Sequence, residues 1–560
     1  MIMGNPKKTK TKNAKPLSER YTLTNSIANF FLLAVFAVFP LFVNFTFNGS
    51  FPFLHFDAGY IAIRHQKYYF FLVVTAAAVI TELLLLITRS SQERKEAAAR
   101  VQRPALSMTF TDWAVVAFVL ACATSTVLSP HIQMAFTGEV TVGSYTHGRN
   151  NGLILMLFYA AVYFFLTRCW RFKEYVFIAL AAVSGAVSLL AVLNTFYIDP
   201  LNMFDMFQND KVVFNDFITP IGNKNMFSSY LCVTVPVTMT MFVYTQKVWR
   251  KVIYLLASVF GAWAVVVCNS DSAVLGMGIC AMVMLVAYLR RPQKLKQYLL
   301  ILTVMLFGVK LLGMFTLFSG WRFKTLDAAA YQIAVSDITF YVVGGLAVLT
   351  ILVYLLNLKN PDKVLPLAVP IIAGAVCGLA VLAGVGTIVY FTVFNTEADL
   401  GSLERTLRFS DAWGTHRGFM WNKSIEAFTQ YTPLQKLFGT GPETFYFTFS
   451  PYFDELYNRF GDGSTDAAHN EYINYLLNIG IIGLTTYLAF TLGALVRGFK
   501  AAKRNPLSLV FASAIVAYMA QAVVNIALPI ATPLFIVCIS LCETVSRQRD
   551  VASNPRNQRV

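Results

Sequence analysis

The side chains able to do chemistry are scattered along this chain, but their types agree. Arg417, Glu443 and His469 fall in one polar segment, and His469 opens the run Ala468-His469-Asn470-Glu471-Tyr472-Ile473-Asn474. Asn470, Asn474 and Asn478 follow at i, i+4 and i+8, which on a helix makes a single polar stripe. Two further cations, Arg149 and Lys224, stand at the starts of apolar runs, Lys224 within Gly222-Asn223-Lys224-Asn225. Arginine binds phosphate oxygens bidentately and stabilises a diphosphate leaving group as its charge develops. A histidine beside it can accept a proton from an attacking sugar hydroxyl. Placed at a membrane surface, such cations suit a substrate with an anionic head and an apolar tail, and a lipid diphosphate fits that description. Each residue also has a plainer use: asparagines hydrogen-bond between helices, and a lysine at a helix end keeps its charge in the interface.

The elements that must position these residues are apolar. Of 560 residues, 56% are hydrophobic and 13% charged, against about 25% charged in a soluble chain. That excludes an ordinary soluble enzyme and a disordered chain. A membrane crossing takes about 20 mostly apolar residues, and fourteen runs qualify: 24–47, 68–88, 112–129, 150–167, 174–197, 225–245, 252–268, 273–289, 298–319, 337–357, 365–393, 471–496, 507–527 and 531–545. The last is short and carries Pro533. The pair 252–268 and 273–289 is separated only by Asn269 to Ser272, so a re-entrant hairpin is an alternative there. The expected fold is an all-α polytopic membrane protein of about 14 transmembrane helices with one large, partly helical extracytoplasmic loop. Its parts are a basic cytoplasmic tail (1–23), an N-terminal bundle (24–393), the loop (394–470), C-terminal spans (471–545) and a second tail (546–560).

Charge fixes the expected orientation. With residues 1–23 inside, the segments on that side hold 31 Lys+Arg in 98 residues, against 13 in 168 on the other side. This is the bias of the positive-inside rule, and it predicts both termini in the cytoplasm. The basic tail around Lys7, Lys8, Lys10 and Lys12 therefore reads as an orientation signal or a contact with membrane lipids, not as a nucleic-acid grip. The first run lacks a small-x-small cleavage site and is expected to stay as a helix. The eight cysteines lack CxxC spacing, which points to packing residues rather than a disulfide or zinc framework.

Within the loop, Thr415 is expected to cap a helix through Glu426 that carries Arg417, Trp421 and Ile425 on one face. Gly439-Thr440-Gly441-Pro442 reads as a turn, and its lone GxG is a weak phosphate signal. Trp413, Trp421, Tyr446 and Tyr452 can stack on sugars or form a loop core. Gln521 and Asn525, also i, i+4, are expected to face the cavity of the asparagine stripe. Lys310 sits mid-span, where a buried ion pair or a transport role would explain it.

Three stretches together resemble the O-antigen ligase/polymerase family: Arg417 through Trp421; Phe438-Gly439-Thr440-Gly441-Pro442; and Ala468-His469-Asn470-Glu471-Tyr472 leading to Gly480-Ile481-Ile482-Gly483-Leu484. Upstream, Gly222-Asn223-Lys224-Asn225 and Gly148-Arg149-x-x-Gly152-Leu153 resemble the family's middle and N-terminal parts. The resemblance covers roughly 140 to 500 and is strongest over 415–485. It implies a metal-independent, inverting glycosyltransferase without a cofactor, in the cytoplasmic membrane of a bacterium and with its active site outside. Such an enzyme moves a glycan from undecaprenyl diphosphate to a glycan, lipid or protein acceptor. By this resemblance His469 is the catalytic histidine and Arg417 the diphosphate-binding arginine, with Arg149 and Lys224 as further donor-binding groups and Asn470, Asn474 and Glu443 as supporting polar residues. A second arginine of the family pattern is missing from Thr219-Pro220-Ile221-Gly222, so Lys224 or Arg149 would have to supply its charge. The rival reading is a flippase for lipid-linked oligosaccharides, or another polysaccharide transporter.

Overall fold

The computed structural model describes residues 18–43, 45–47, 54–56, 60–88, 108–201, 203, 217–361 and 363–548. Lys7 to Lys12 and most of the second tail, 549–560, lie outside them. Among the described residues, eleven helices are long and apolar enough to cross a membrane, from Leu23–Leu41 to Glu471–Ala501. The protein is a multi-pass membrane protein. The expected runs 150–167 and 507–527 form only the shorter apolar helices Leu153–Cys169 and Ser508–Val524, and 531–545 becomes the 16-residue helix Thr532–Arg547. Leu153–Cys169 has 17 residues, a rise of about 26 Å against a hydrocarbon core of about 30 Å. Polar joints at Asn150-Asn151 and Asn525 shorten these runs.

Val248–Val267 and Asp271–Tyr288 are each long enough to cross, so the re-entrant alternative is not needed. They diverge from their turn: the first packs on Glu174–Thr195 and Lys224–Tyr244, the second on Ser508–Gln521. Lys224–Tyr244 is the axis of the bundle, buried at every position from Met226 to Val243. The carbonyl of its Pro236 accepts from Thr240 Oγ1 at 2.6 Å and from Ser513 Oγ at 3.2 Å. By contrast, Ala368–Val389 buries no residue and Asp337–Lys359 only Thr339 and Asn357. These two helices stand at the periphery, their leucines and valines facing lipid.

Two lysines inside the bundle serve its backbone. Lys310 donates to the carbonyls of Val335 and Ser336, both at 3.0 Å, where the short helix Ala329–Val335 ends. It caps backbone and also lies 4.0 Å from the Asp337 carboxylate, so the feature that most favoured transport has a structural use. Lys67 does the same for Phe39, Pro40 and Phe42, where the first helix unwinds. Four helices that carry or flank the site are tied at one end by Asp112 and Glu543, which take Arg168, Arg497 and Arg547 at 2.6–3.1 Å. All eight cysteines are free thiols.

The long polar segment 394–470 folds. Its short helices close around Phe419, Met420, Phe445, Phe449, Leu456, Ala468 and Leu477, so loop residues and the first turns of the helix Glu471–Ala501 share one apolar cluster. A hairpin of Val140–Val142 against Tyr145–His147 stands beside it. His147 stacks on Tyr446 with 3.8 Å between centroids and lies 3.6 Å from Asp466.

Candidate active site

The site is built on a break in a helix. Within Glu471–Ala501, Gly480 takes φ 68°, ψ −173°, which ends the helical ladder and frees the carbonyls of Leu477 and Asn478. The Gly439-Thr440-Gly441 turn satisfies them: Thr440 N donates to Leu477 O at 3.2 Å and Gly441 N to Asn478 O at 2.8 Å. Ser125 Oγ adds a third bond, to Asn478 O at 2.9 Å. A Cβ on Gly439 would lie 2.3 Å from Asn478 backbone, and one on Gly480 2.3 Å from Leu437 O. Two glycines distant in sequence thus pack backbone to backbone, and the GxG turn is a dock for the broken helix rather than a phosphate cradle. Asn478 contributes its carbonyl, while its side-chain Oδ1 is buried without a partner.

His469 precedes this helix. Asn470 caps the helix, accepting from Tyr472 N and Ile473 N at 3.0 and 3.1 Å. Asn474 Oδ1 accepts from Ala468 N at 3.2 Å, and Trp421 Nε1 donates to Ala468 O at 3.0 Å. These bonds hold the backbone on both sides of His469, which sits at φ 51°, unusual for a residue with a side chain. Its Nδ1 is buried with no hydrogen-bond partner.

Arg417 starts a helix, but Thr415 does not cap it. Gly414, Thr415 and His416 all have positive φ and form a left-handed turn, and His416 is held by Asp462 at 2.7 Å. Gly418 permits this turn to close, because its Cβ would lie 1.8 Å from Ser410 O. Arg417 and Trp421 face the site as the helical spacing predicts, whereas Ile425 is 47% exposed. Among the described residues Arg417 has no ion pair within 4 Å; the compensating charge that acts on it is that of Asp271, the first residue of the helix Asp271–Tyr288.

Arg149 arrives on a rigid loop. Gly138, Gly148 and Gly152 interlock there, each Cβ position lying within 2.5 Å of backbone. Asn150 N donates to Gly138 O at 2.8 Å and Asn151 Nδ2 to Ala527 O at 2.6 Å. The guanidinium so placed has Nε and Nη1 buried without partners. Behind it Arg64, 2% exposed, donates to Gly148 O at 2.6 Å.

The three groups act on one another. Burial, reinforced by the charges of Arg149 and Arg417, holds the His469 imidazole well below its ordinary range. Glu443 is 4% exposed at φ 63°. Burial pushes its carboxyl up to about 7, against the opposing influence of Arg149 and Arg64. Below lies a cavity of about 20 Å³ lined by Glu443, Glu471, Asn474 and Asn478, room for one water. Among the described residues no three His, Cys, Asp or Glu side chains gather as a metal site would.

Residues 326–488 match the family model of the O-antigen ligases. This part of the chain is similar to an O-antigen ligase domain. It supports a glycan-transferring membrane enzyme of cell-surface polysaccharide assembly, acting on lipid-linked glycan donors and their acceptors. No curated protein matches the chain. The O-antigen ligase match contains Arg417, Glu443, His469, Asn470 and Asn474, whereas Arg149 and Arg64 come to the site from outside it.

Of the residues expected at the site, Arg417, Arg149, Glu443, His469, Asn470 and Asn474 are brought together. Lys224 is not among the charges acting on His469; it begins its helix within electrostatic reach of Cys268, which Asp271 also influences. Gln521 and Asn525 turn away from the asparagine stripe. They join Asn225, Ser228, Ser229 and Ser272 in a buried neutral network, with Asn525 Nδ2 2.9 Å from Asn225 O and Gln521 Oε1 3.2 Å from Ser229 Oγ. Arg64 and Asp271 went unnoticed in the sequence. The available signal for Arg64 was an Arg-His pair at the outer mouth of a span, against the prevailing charge bias.

Proposed function

We propose that this protein transfers an oligo- or polysaccharide from undecaprenyl diphosphate to a hydroxyl acceptor at the outer face of the cytoplasmic membrane. The observation that carries this reading is the unpartnered, neutral His469 between two arginines that form no ion pair among the described residues. Arg149 and Arg417 grip the diphosphate. His469 takes the proton of the acceptor hydroxyl as its oxygen attacks the anomeric carbon, from the side opposite the diphosphate. The bond from that carbon to the diphosphate oxygen breaks, the configuration inverts, and undecaprenyl diphosphate leaves with the bonding electron pair. No metal is called for, because the arginines meet the leaving-group charge.

An imidazole depressed by two cations is a weak base. The anionic diphosphate offsets their field when it binds, which raises the basicity of His469 once the donor is in place. Asn470 and Asn474 are positioning residues, acting through the backbone on either side of His469. A groove of about 530 Å³ on the outer segment, lined by Glu426, Gln430, Tyr431 and Tyr452 among others, offers the mix of rings and polar groups that a glycan takes.

A strain lacking the gene, complemented with wild type or His469→Ala and its glycans resolved by size, tests the reading. Lipid-linked glycan should accumulate in the variant at normal protein levels. Single repeats on the carrier mark a polymerase and long chains a ligase. In membranes, transfer should survive chelation. Normal surface glycan with His469→Ala, or loss on chelation restored by a divalent ion, would overturn it.

A further inference from the structure

The helix Asp271–Tyr288 begins beside Arg417 and, over its 18 residues, runs about 27 Å to the opposite side of the bundle. There a cavity of about 380 Å³ is lined by Arg290, Arg291, Lys294 and Lys503, with Tyr244 and Phe499 among its apolar walls. Its lining contains no carboxylate. Among the described residues none of the four cations forms an ion pair. Arg290 and Lys294 reach only the carbonyls of Leu365 and Val243, at 3.4 and 3.0 Å. Four like charges around one small volume repel one another and attract a multivalent anion.

The cavity does not stand alone. Ala287 and Phe499 also line a groove of about 360 Å³ that is almost wholly apolar, walled by Val283, Gly374, Gly378 and Val381. Its far wall is Ala368–Val389, the helix that buries nothing. A basic chamber and a hydrocarbon trough with shared walls match a molecule with a phosphate at one end and an alkyl chain at the other. A soluble anion would leave the trough unused.

We infer that this is a binding site for an anionic phospholipid of the leaflet opposite the transfer site, its phosphate among Arg290, Arg291, Lys294 and Lys503 and an acyl chain in the trough along Gly374 and Gly378. The site is independent of the glycan-transfer reading and is tested without it.

The purified full-length protein, stripped of lipid in a neutral detergent, is titrated with phosphatidylglycerol, phosphatidylcholine, undecaprenyl phosphate or inorganic phosphate. Retained lipid is counted by native mass spectrometry and stability by thermal unfolding. Phosphatidylglycerol should be retained and should raise the Tm, with little effect from phosphatidylcholine or inorganic phosphate. The triple variant Arg291→Gln, Lys294→Gln, Lys503→Gln should weaken that retention about a hundredfold; the amide introduced by Lys294→Gln keeps a donor for Val243 O. Gly378→Leu should also weaken it with every charge in place, since a Cβ there meets nothing within 4 Å. Unchanged retention in both variants would overturn the site. So would a shift from inorganic phosphate equal to that from lipid, or preference for undecaprenyl phosphate over phosphatidylglycerol.

Discussion

Arg149→Met separates a substrate clamp from a structural arginine, because the two roles move stability and activity in different directions. In the protein, Nε and Nη1 of Arg149 are buried with no hydrogen-bond partner. A buried donor left unsatisfied costs about 1–3 kcal/mol, so removing two such donors and keeping the apolar stem should not lower stability and can raise it. The opposing contribution is the attraction between Arg149 and Glu443. That contribution is small while Glu443 is protonated, which holds below its pKa of about 7. Thermal unfolding in detergent at about pH 6 should therefore give a Tm at or above wild type. Glycan transfer behaves otherwise. Losing one preorganised donor to a developing negative charge costs about 2.7–4 kcal/mol, or about a hundred- to a thousandfold in rate. Purified protein, lipid-linked donor and acceptor, with products resolved by size, measure that loss. Arg64→Met is the contrast, since Arg64 is 2% exposed and holds Gly148 O; it should lower the Tm. If Arg149→Met lowers the Tm as Arg64→Met does, or leaves transfer within a few-fold of wild type, the clamp reasoning fails.

Glu443 makes stability depend on pH with a definite sign. Its pKa rises on folding from 4.5 to about 7, so its contribution is complete below the unfolded pKa and is lost as pH rises through about 7. The full span is about 3 kcal/mol. The Tm of wild type should fall over that window and that of Glu443→Gln should fall less; parallel curves would show that Glu443 does not contribute. The dock between Gly439 and Gly480 predicts that alanine at either position costs more than about 2 kcal/mol, because each Cβ would lie 2.3 Å from backbone at positive φ. Gly463→Ala, in open space, is the control, and equal folding yields for all three would contradict the dock.

Much was legible in the sequence because it depends on one dimension only. Apolar runs, basic clusters between them and one long polar segment decided that the chain crosses a membrane repeatedly and carries an ordered polar segment. His469, Asn470 and Asn474 are adjacent or one turn apart in sequence, so their proximity was legible, but the positive φ that aims His469 was not. The order of Arg417, Gly439-Thr440-Gly441 and Gly480 was visible too, but not its reason. Run length alone suggested fourteen crossings. It does not register where a polar joint such as Asn150-Asn151 stops a helix short, and eleven helices reach full length among the described residues.

The tertiary structure decided what long-range backbone satisfaction and packing decide. Freed carbonyls at Leu477 and Asn478 must find donors, and that need, not any local propensity, brings the Gly439 turn to Gly480 and with it Arg417 to His469. Arg149 reaches the same point because three glycines let its loop pack against backbone. Lys224 had the same charge and an equally suggestive motif, yet its helix starts the buried axis of the bundle and directs it toward the Asp271 turn instead. Gln521 and Asn525 have the stripe spacing but face other polar partners. Thr415 has a capping side chain but falls in a left-handed turn. Residue type and spacing name the groups that can do the chemistry; which of them meet depends on how helices distant in sequence satisfy one another's polar backbone in a medium without water.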